Sequence, residues 1–160
     1  MLPSLDDLKM ILERRLGVTV GIDQGRLIVE AKELPRVCQF LHDAPEYRLD
    51  YVANLTAIDY PPETIETVYH LYSMAHKHGP VAITVRLPRA NPVVPSLVPL
   101  YRGAEFQERE VYDLYGVKFE GHPDLRRILM WDGFEGHPMR KDYVIEDQDV
   151  LDDPPSTRRQ

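Results

Sequence analysis

The tetrapeptide Glu-Gly-His-Pro occurs twice in the chain, at 120–123 and at 135–138, and a pair of cations follows each copy. Two histidines together with a carboxylate are ligands that zinc or iron accepts. However, fifteen positions separate His122 from His137, and the residues between them follow no helical pattern that would fix their geometry. The spacing therefore favours two bends of similar sequence over a metal centre.

The cations that follow the repeats raise the question of a phosphate site. They are Arg126, Arg127, Arg140 and Lys141, and acidic residues are interleaved with them, so the local field is nearly neutral. Each repeat glycine is followed by His-Pro, and proline lacks the N–H group that phosphate loops use. The net charge of −7 also gives the chain no bias towards nucleic acid. We expect neither phosphate nor nucleic acid as a ligand.

A third candidate is a group of carboxylates within residues 103–116. Glu105, Glu108, Glu110 and Asp113 crowd into nine residues. Carboxylate di-metal sites also need a Glu-x-x-His motif and facing helices, and the sequence contains no such motif. Arg109 stands four residues from both Glu105 and Asp113, which is the spacing of a helical ion pair. The pattern predicts a charged helix face that meets solvent or a partner.

The remaining reactive side chains are explained better by structure than by chemistry. Cys38 lies in an apolar helical stripe, where a small buried hydrophobe is expected. As the single cysteine, it excludes an internal disulfide, and an iron–sulfur cluster or thiolate zinc site made by this chain alone. His76 and His78 fit a polar hairpin turn. We predict no catalytic residue, cofactor ligand or metal ligand in this chain.

The elements that must position these residues follow from caps and periodicity. Ser4 and Gly17 bracket an apolar stripe typical of a helix, and turn residues or alternating apolar residues mark the other elements. These are a hairpin centred on Asp-Gln-Gly, helices at 34–43 and 103–116, and strands at 47–60, 64–74 and 79–88. The Pro-rich stretch 88–99 is typical of a surface connector. The sequence predicts an α+β fold, with a small, helix-flanked, mostly antiparallel sheet domain over residues 1–117.

We call residues 118–160 the strap, because their periodicity stops and their composition is that of an extended segment. Such a stretch cannot build its own core, so it is either disordered or ordered by lying on another surface. Its apolar anchors are Leu125, Ile128, Leu129, Trp131 and Phe134. Arginine and aromatic residues dominate protein interfaces, and arginine–carboxylate pairs fix the register of extended segments. The strap is predicted to bind a partner.

The chain as a whole fits a protein without its own membrane anchor. Its 160 residues are enough for one domain with a tail, and the N-terminal segment breaks its apolar residues with charges, unlike a signal peptide. No apolar run approaches the ~20 residues of a membrane span. We expect an intracellular protein that is soluble or peripheral to something larger.

Two long motifs resemble one family. The stretches "EREVYDLYGVKFEGHPDLRRIL" (108–129) and "EGHPMRKDY" (135–143) closely resemble the C-type subunit of respiratory complex I, the proton-pumping NADH:quinone oxidoreductase. This is its 30-kDa-type peripheral-arm subunit. The stretches "DYVANLTAIDYPP" and "TVYHLYS" extend the resemblance to about residues 30–145. The departures from the family pattern are small: Phe106 and Phe134 stand where tryptophan is common, Met139 replaces a leucine and Val144 a proline.

The resemblance implies a scaffold subunit on the cytoplasmic face of the cell inner membrane. Its C-terminal tail would wrap on the quinone-site subunit (the D-type subunit) and contact neighbouring peripheral-arm subunits. The flavin (FMN), the iron–sulfur clusters and the quinone would belong to those partners, with no cofactor in this chain. The residues expected to dock the partner or to order the strap, none of them catalytic, are Glu108, Arg109, Glu110, Asp113, His122, Arg126, Arg127, Arg140, Lys141 and Asp142.

Other hypotheses stay open at this point. One is the equivalent subunit of a related membrane hydrogenase or of a ferredoxin-fed quinone reductase complex, since this subunit is not expected to contact the electron donor. A more remote one is a stand-alone metal-dependent enzyme that uses the 105–113 carboxylates with His122 or His137. Another is a stand-alone binding module.

Overall fold

The structure is a computed structural model that describes residues 2–144. In chain order its helices and strands are α1 (Leu5–Leu16), β1 (Gly21–Asp23), β2 (Arg26–Val29), α2 (Leu34–Asp43), β3 (Tyr51–Tyr60), β4 (Thr64–Ser73), β5 (His78–Pro88), β6 (Val93–Pro95), α3 (Ala104–Tyr115) and β7 (Lys118–Glu120). A short 3-10 turn, Ala31–Glu33, precedes α2. Residues 145–160, the end of the strap, lie outside the described residues.

The predicted caps delimit α1. The Ser4 hydroxyl oxygen accepts a hydrogen bond from the Asp7 N–H at 3.1 Å, which satisfies one of the amide groups left free at a helix start. Gly17 closes the helix in the left-handed conformation, with φ 67°. Leu8 and Leu12 are buried in the core.

The main sheet has five strands in the order β1-β2-β5-β4-β3. Its pairings are antiparallel except for β2 with β5, which is parallel. The central position Tyr69 faces Leu55 on one side and Ile83 on the other, and all three are buried. The predicted α+β fold with a mostly antiparallel sheet is confirmed. No helix among residues 2–144 is long and apolar enough to cross a bilayer.

The Pro-rich connector holds a strand that receives the start of the strap. Strand β6 pairs in parallel with β7, in the register Val93 with Lys118 and Pro95 with Glu120. Beyond the ladder, the Ser96 N–H donates to the Glu120 carbonyl at 2.8 Å. Regular structure therefore continues past Lys118, where the periodicity of the sequence stops.

The strap then runs back along α3 and over one end of the main sheet. The Met139 N–H donates to the Leu114 carbonyl at 3.0 Å, and Arg140 Nε donates to the Tyr115 carbonyl at 2.7 Å. Further on, the Lys141 N–H donates to Asp59 Oδ2 at 2.8 Å. The surface on which this part of the strap lies is therefore the chain's own domain.

Two glycines end helices in the same left-handed conformation, but only one of them touches the strap. A Cβ at Gly116 (φ +76°) would lie 2.6 Å from the His137 ring, whereas a Cβ at Gly17 (φ +67°) would meet nothing within 4 Å. At Gly116, the absence of a side chain is what lets the strap approach the end of α3.

We expect Gly116→Ala to lower the free energy of unfolding by more than Gly17→Ala does. Both variants suffer the left-handed penalty of about 1–2 kcal/mol. Gly116→Ala adds a clash with His137, worth about a further 1–3 kcal/mol. Urea unfolding of the two variants beside the wild type measures the difference, and equal losses would show that the strap does not pack on Gly116.

Candidate functional site

The strap is joined to α3 through one buried carboxylate. Asp113 is wholly buried in the last turn of α3, and its Oδ2 accepts from three successive backbone N–H groups: Ile128 at 3.0 Å, Leu129 at 2.7 Å and Met130 at 2.8 Å. Its Oδ1 accepts from Arg127 Nη1 at 2.6 Å. Successive N–H groups that converge in this way form an anion-binding concavity. In this protein the anion is a side chain of the same chain.

These contacts keep the Asp113 carboxylate ionised. Burial by itself raises the pKa of Asp113, but the hydrogen bonds from the Met130 N–H, from Arg127 and from the other two N–H groups outweigh it. The pKa of Asp113 therefore lies below its ordinary value. A depressed folded-state pKa means that this link stabilises the fold above pH ~4 and is lost as the pH falls through the folded-state pKa.

Two arginines bind the strap backbone around this carboxylate. Arg109 donates from Nε to the Arg126 carbonyl at 3.1 Å and from Nη2 to the Arg127 carbonyl at 2.9 Å. Arg127 also reaches the Asp113 carbonyl at 3.1 Å and the Gly136 carbonyl at 2.8 Å. The prediction that Arg109 neutralises the acids of its own helix is wrong, because its guanidinium donates to strap carbonyls and Arg127 pairs with Asp113.

The prediction that the charged residues of α3 meet solvent or a partner is also wrong for three of them. Glu108, Arg109 and Asp113 are buried within the chain, and only Glu110 among the four predicted α3 site residues is exposed. Glu108 packs against the connector, and Arg109 and Asp113 pack against the strap. The spacing of charged residues along a helix identifies the charged stripe, but it does not show which segment of the chain packs over that stripe.

Glu108 anchors the Pro-rich connector to α3. Its carboxylate accepts from the Ser96 hydroxyl at 2.6 Å and from the Leu97 N–H at 2.7 Å. Desolvation by burial raises the pKa of Glu108 to about 7, although these two hydrogen bonds pull it down. Ser96 directly follows β6, so Glu108 holds in place the strand with which β7, the start of the strap, is paired.

A second cluster binds the far end of the strap to the main sheet. Arg89 donates to the buried Asp59 from Nε at 2.7 Å and from Nη2 at 3.0 Å, and to Asp142 from Nη2 at 2.6 Å and Nη1 at 3.0 Å. The Arg89 hydrogen bonds hold the pKa of Asp59 below its usual range. The sequence analysis identified Asp142 and Lys141 but missed Asp59 and Arg89, because both lie far from the strap in the chain and no spacing links them to it, although Asp59 falls in the family-like stretch 50–62.

The two repeat histidines bond to α3 backbone carbonyls. His122 Nε2 lies 3.0 Å from the Glu105 carbonyl, and its Nδ1 accepts from the Asp124 N–H at 3.0 Å. His137 Nδ1 lies 3.0 Å from the Asp113 carbonyl. Desolvation by burial lowers the pKa of His137, so the ring is neutral at pH 7. Within residues 2–144, no group of three or more His, Cys, Asp or Glu side chains is arranged to hold a metal ion.

The strap exposes apolar side chains as well as charged ones. Ile128 is 38% exposed, Leu129 56% and Trp131 42%, and Phe106 on α3 is 59% exposed. We call these four residues the apolar ridge. Arg109 connects its two parts, since its guanidinium lies 5.9 Å from the Phe106 ring centre while it binds the strap carbonyls. Beside the ridge, Arg126 is exposed and pairs with Asp124 at 2.9 Å.

Helix α3 and most of the strap fall within a match to a known family. The family model described as the 30-kDa subunit of the respiratory-chain NADH dehydrogenase matches residues 27–149. The chain belongs to this family.

This 30-kDa-type subunit is similar to curated proteins over most of its length. The second C-type subunit of the NADH-quinone oxidoreductase of Rhizobium meliloti (strain 1021) is 46% identical over 132 residues, which are 81% of this chain and 70% of that protein. The chain spans 66–70% of the length of the first three curated relatives it matches. The resemblance carried by the two strap motifs is thereby confirmed.

Solved structures share the fold, and two of them serve as comparisons. The trypsin-resistant fragment of Nqo5 is 31% identical, with a TM-score of 0.51, covering 74% of this chain and 98% of the fragment. A chain of the archaeal membrane-bound sulfane sulfur reductase, a respiratory membrane complex, gives a TM-score of 0.63 over 91% of this chain and 87% of its own. At 24% identity, that likeness concerns the fold alone.

We expect Glu108→Gln to remove a pH-dependent loss of stability from this 30-kDa-type subunit. The pKa of Glu108 rises from about 4.5 to about 7 on folding. Its contribution to stability is therefore complete below pH 4.5 and is lost as the pH rises through about 7. Between pH 4.5 and 8 the variant should gain about 3 kcal/mol in unfolding free energy relative to wild type.

Denaturant unfolding across that pH range measures the gain. Glu105→Gln, on the same helix and only half-buried, is the matched control and should follow the wild-type curve. A constant difference between Glu108→Gln and wild type at every pH would contradict the raised pKa.

Proposed function

We propose that this chain is a cofactor-free scaffold subunit in the peripheral arm of a proton-translocating NADH:quinone oxidoreductase. Its strap holds the quinone-site subunit, on the cytoplasmic side of the cell inner membrane. Family membership supports the choice of complex, and one observation supports the scaffold role: Arg127, His137 and Arg140 of the strap bond to α3 while the apolar ridge stays exposed.

The candidate docking residues divide into two kinds by burial. The buried or half-buried ones order the strap, and they are Glu108, Arg109, Asp113, His122, Arg127 and Arg140. The exposed ones are available to a partner, and they are Glu110, Arg126, Lys141 and Asp142, although Asp142 already binds Arg89. Aromatic, apolar and arginine side chains contribute most of the energy at protein interfaces, so the ridge with Arg126 is the proposed contact.

The reactive side chains of this chain are already engaged or inaccessible, which favours electron carriers in partner subunits. Burial raises the pKa of the single thiol, Cys38, so that it is protonated and inaccessible. Asp113 and Glu108 already bind donors of this chain. FMN, the iron–sulfur clusters and quinone are therefore assigned to the partners.

A second candidate keeps the scaffold role and changes the complex. The fold also occurs in the archaeal sulfane sulfur reductase complex, so it does not by itself select the electron donor. Purification through a tag on this chain in mild detergent separates the candidates. We expect flavin and iron–sulfur absorbance with NADH:quinone activity in the purified material. Oxidation of reduced ferredoxin without NADH activity would favour the second candidate, and a chain that purifies alone would overturn both.

We predict that Leu129→Ser lowers the yield of assembled complex. Leu129 is 56% exposed, so the substitution leaves the folded subunit within about 0.5 kcal/mol of wild-type stability. Removal of a buried apolar contact at an interface costs about 1 kcal/mol or more, which is a loss of roughly fivefold or more in affinity. The yield on native gels, beside Met10→Ser as an equally exposed control on α1, checks this. Equal yields from both variants would exclude the ridge as the contact.

We also predict that Arg126→Ala impairs assembly more than it impairs the isolated subunit. Its ion pair with Asp124 is exposed, and such pairs contribute about 0–1 kcal/mol to folding. At an assembled interface, loss of one partner of a sequestered pair costs about 3–5 kcal/mol. Arg48 is about as exposed as Arg126 and pairs with Asp50, so Arg48→Ala serves as the control. Thermal melts of the isolated subunits measure the effect on folding, and the amount of intact complex measures the effect on assembly. Equal amounts of intact complex from Arg126→Ala and wild type would contradict the prediction.

A further inference from the structure

We infer that the strap, over residues 118–144, is ordered on this subunit before any partner binds, and that Asp113 is the positioning residue of the apolar ridge. The ordering stands on contacts within this chain. The use of the ridge for docking rests on the proposed function. The alternative is a strap that folds only on its partner.

The first support is that the strap's N–H groups next to the ridge are already bonded. The amides of Ile128, Leu129 and Met130 all donate to one carboxylate oxygen, while the side chains of Ile128 and Leu129 remain exposed. With the strap in place Asp113 is wholly buried, and four strap donors surround its charge, so the strap and the carboxylate stabilise each other. The helix and the strap are therefore mutually dependent.

The second support is that arginines of both elements bind at the same junction. Arg109 of α3 binds two strap carbonyls, and Arg127 of the strap binds the Asp113 side chain and carbonyl. Charge-assisted bonds in both directions leave the register of the strap no freedom to slip by one residue. A partner is not needed to fix it.

The third support is that the strap is fastened at both ends as well. Its start is β7, paired with β6, and its last described turn is bound by Asp59 and Arg89 through Lys141 and Asp142. Between these ends, Met139 and Arg140 bond to the last carbonyls of α3. Attachment at several separated points reduces the freedom of the segments between them.

An ordered strap changes how the subunit docks. A segment that folds on binding loses its conformational entropy at that moment, which weakens the complex per unit of buried area. A strap held by its own domain presents the ridge as a rigid surface, so docking resembles rigid-body association. Asp113 would then control assembly without touching the partner.

Amide hydrogen exchange on the purified full-length chain, followed by NMR, tests the ordering. We expect the amides of Ile128, Leu129 and Met130 to exchange about 100-fold or more slowly than in an unstructured chain. Asp113→Asn should abolish this protection at all three amides while the amides of the main sheet stay protected. Glu105→Gln, an acid-to-amide change on the same helix, should keep the wild-type pattern. Exchange of the three wild-type amides at the unstructured rate overturns the inference, even if Asp113→Asn fails to fold.

A second measurement separates this inference from the proposed function. Complex yield is compared for Asp113→Asn and Leu129→Ser in the same host. If protection is seen and both variants lower the yield, ordering and docking are both supported. If protection is seen and neither variant lowers the yield, the strap is ordered but the docking role of the ridge is wrong. If only Leu129→Ser lowers the yield, Asp113 is not the positioning residue.

Discussion

A single buried carboxylate, Asp113, is the contact on which the arrangement of α3 and the strap depends. It lies at the C-terminal turn of α3, where the helix dipole disfavours negative charge. Four donors from the strap compensate it, namely the Arg127 guanidinium and three backbone N–H groups. Because removing the partner of a buried charge costs about 3–5 kcal/mol, the strap and the helix hold each other in place. With their N–H groups bonded to Asp113, Ile128 and Leu129 leave their apolar side chains exposed.

The two buried acids of α3 show how environment sets charge. Asp113 has an arginine and three N–H donors, and its pKa falls despite burial. Glu108, a little over one turn earlier, has a hydroxyl and one N–H but no cation among its hydrogen-bond partners, and its pKa rises to about 7. The difference lies in the donors, because three N–H groups and a guanidinium outweigh burial at Asp113, whereas one N–H and a hydroxyl do not at Glu108. One helix thus carries a carboxylate that favours the fold at neutral pH and another that opposes it when ionised.

The strap has one set of side chains that bonds to its own domain and another that remains exposed for a partner. Its inward groups, including Arg127, His137 and Arg140, bond to α3. The outward groups are the apolar side chains, Arg126 and further charged residues such as Lys118, Glu120 and Asp132. Such a division lets a scaffold bind through hydrophobic burial while its register is fixed by charged contacts that it carries itself.

The sequence alone determined the family, the location of the strap and most of the elements, though not β6 and β7, because these features depend on local signals. Ser4, Gly17 and Gly116 bracket helices through conformations that neighbours along the chain decide, and alternation identifies β4. Only the tertiary structure decided which charges meet. Arg89 pairs with Asp142 across 53 positions, and Glu108 turns towards the connector, for which no spacing rule exists. The repeat histidines likewise bond to carbonyls of α3, and the sequence could not show this. A buried polar group takes whichever partner packing brings within reach.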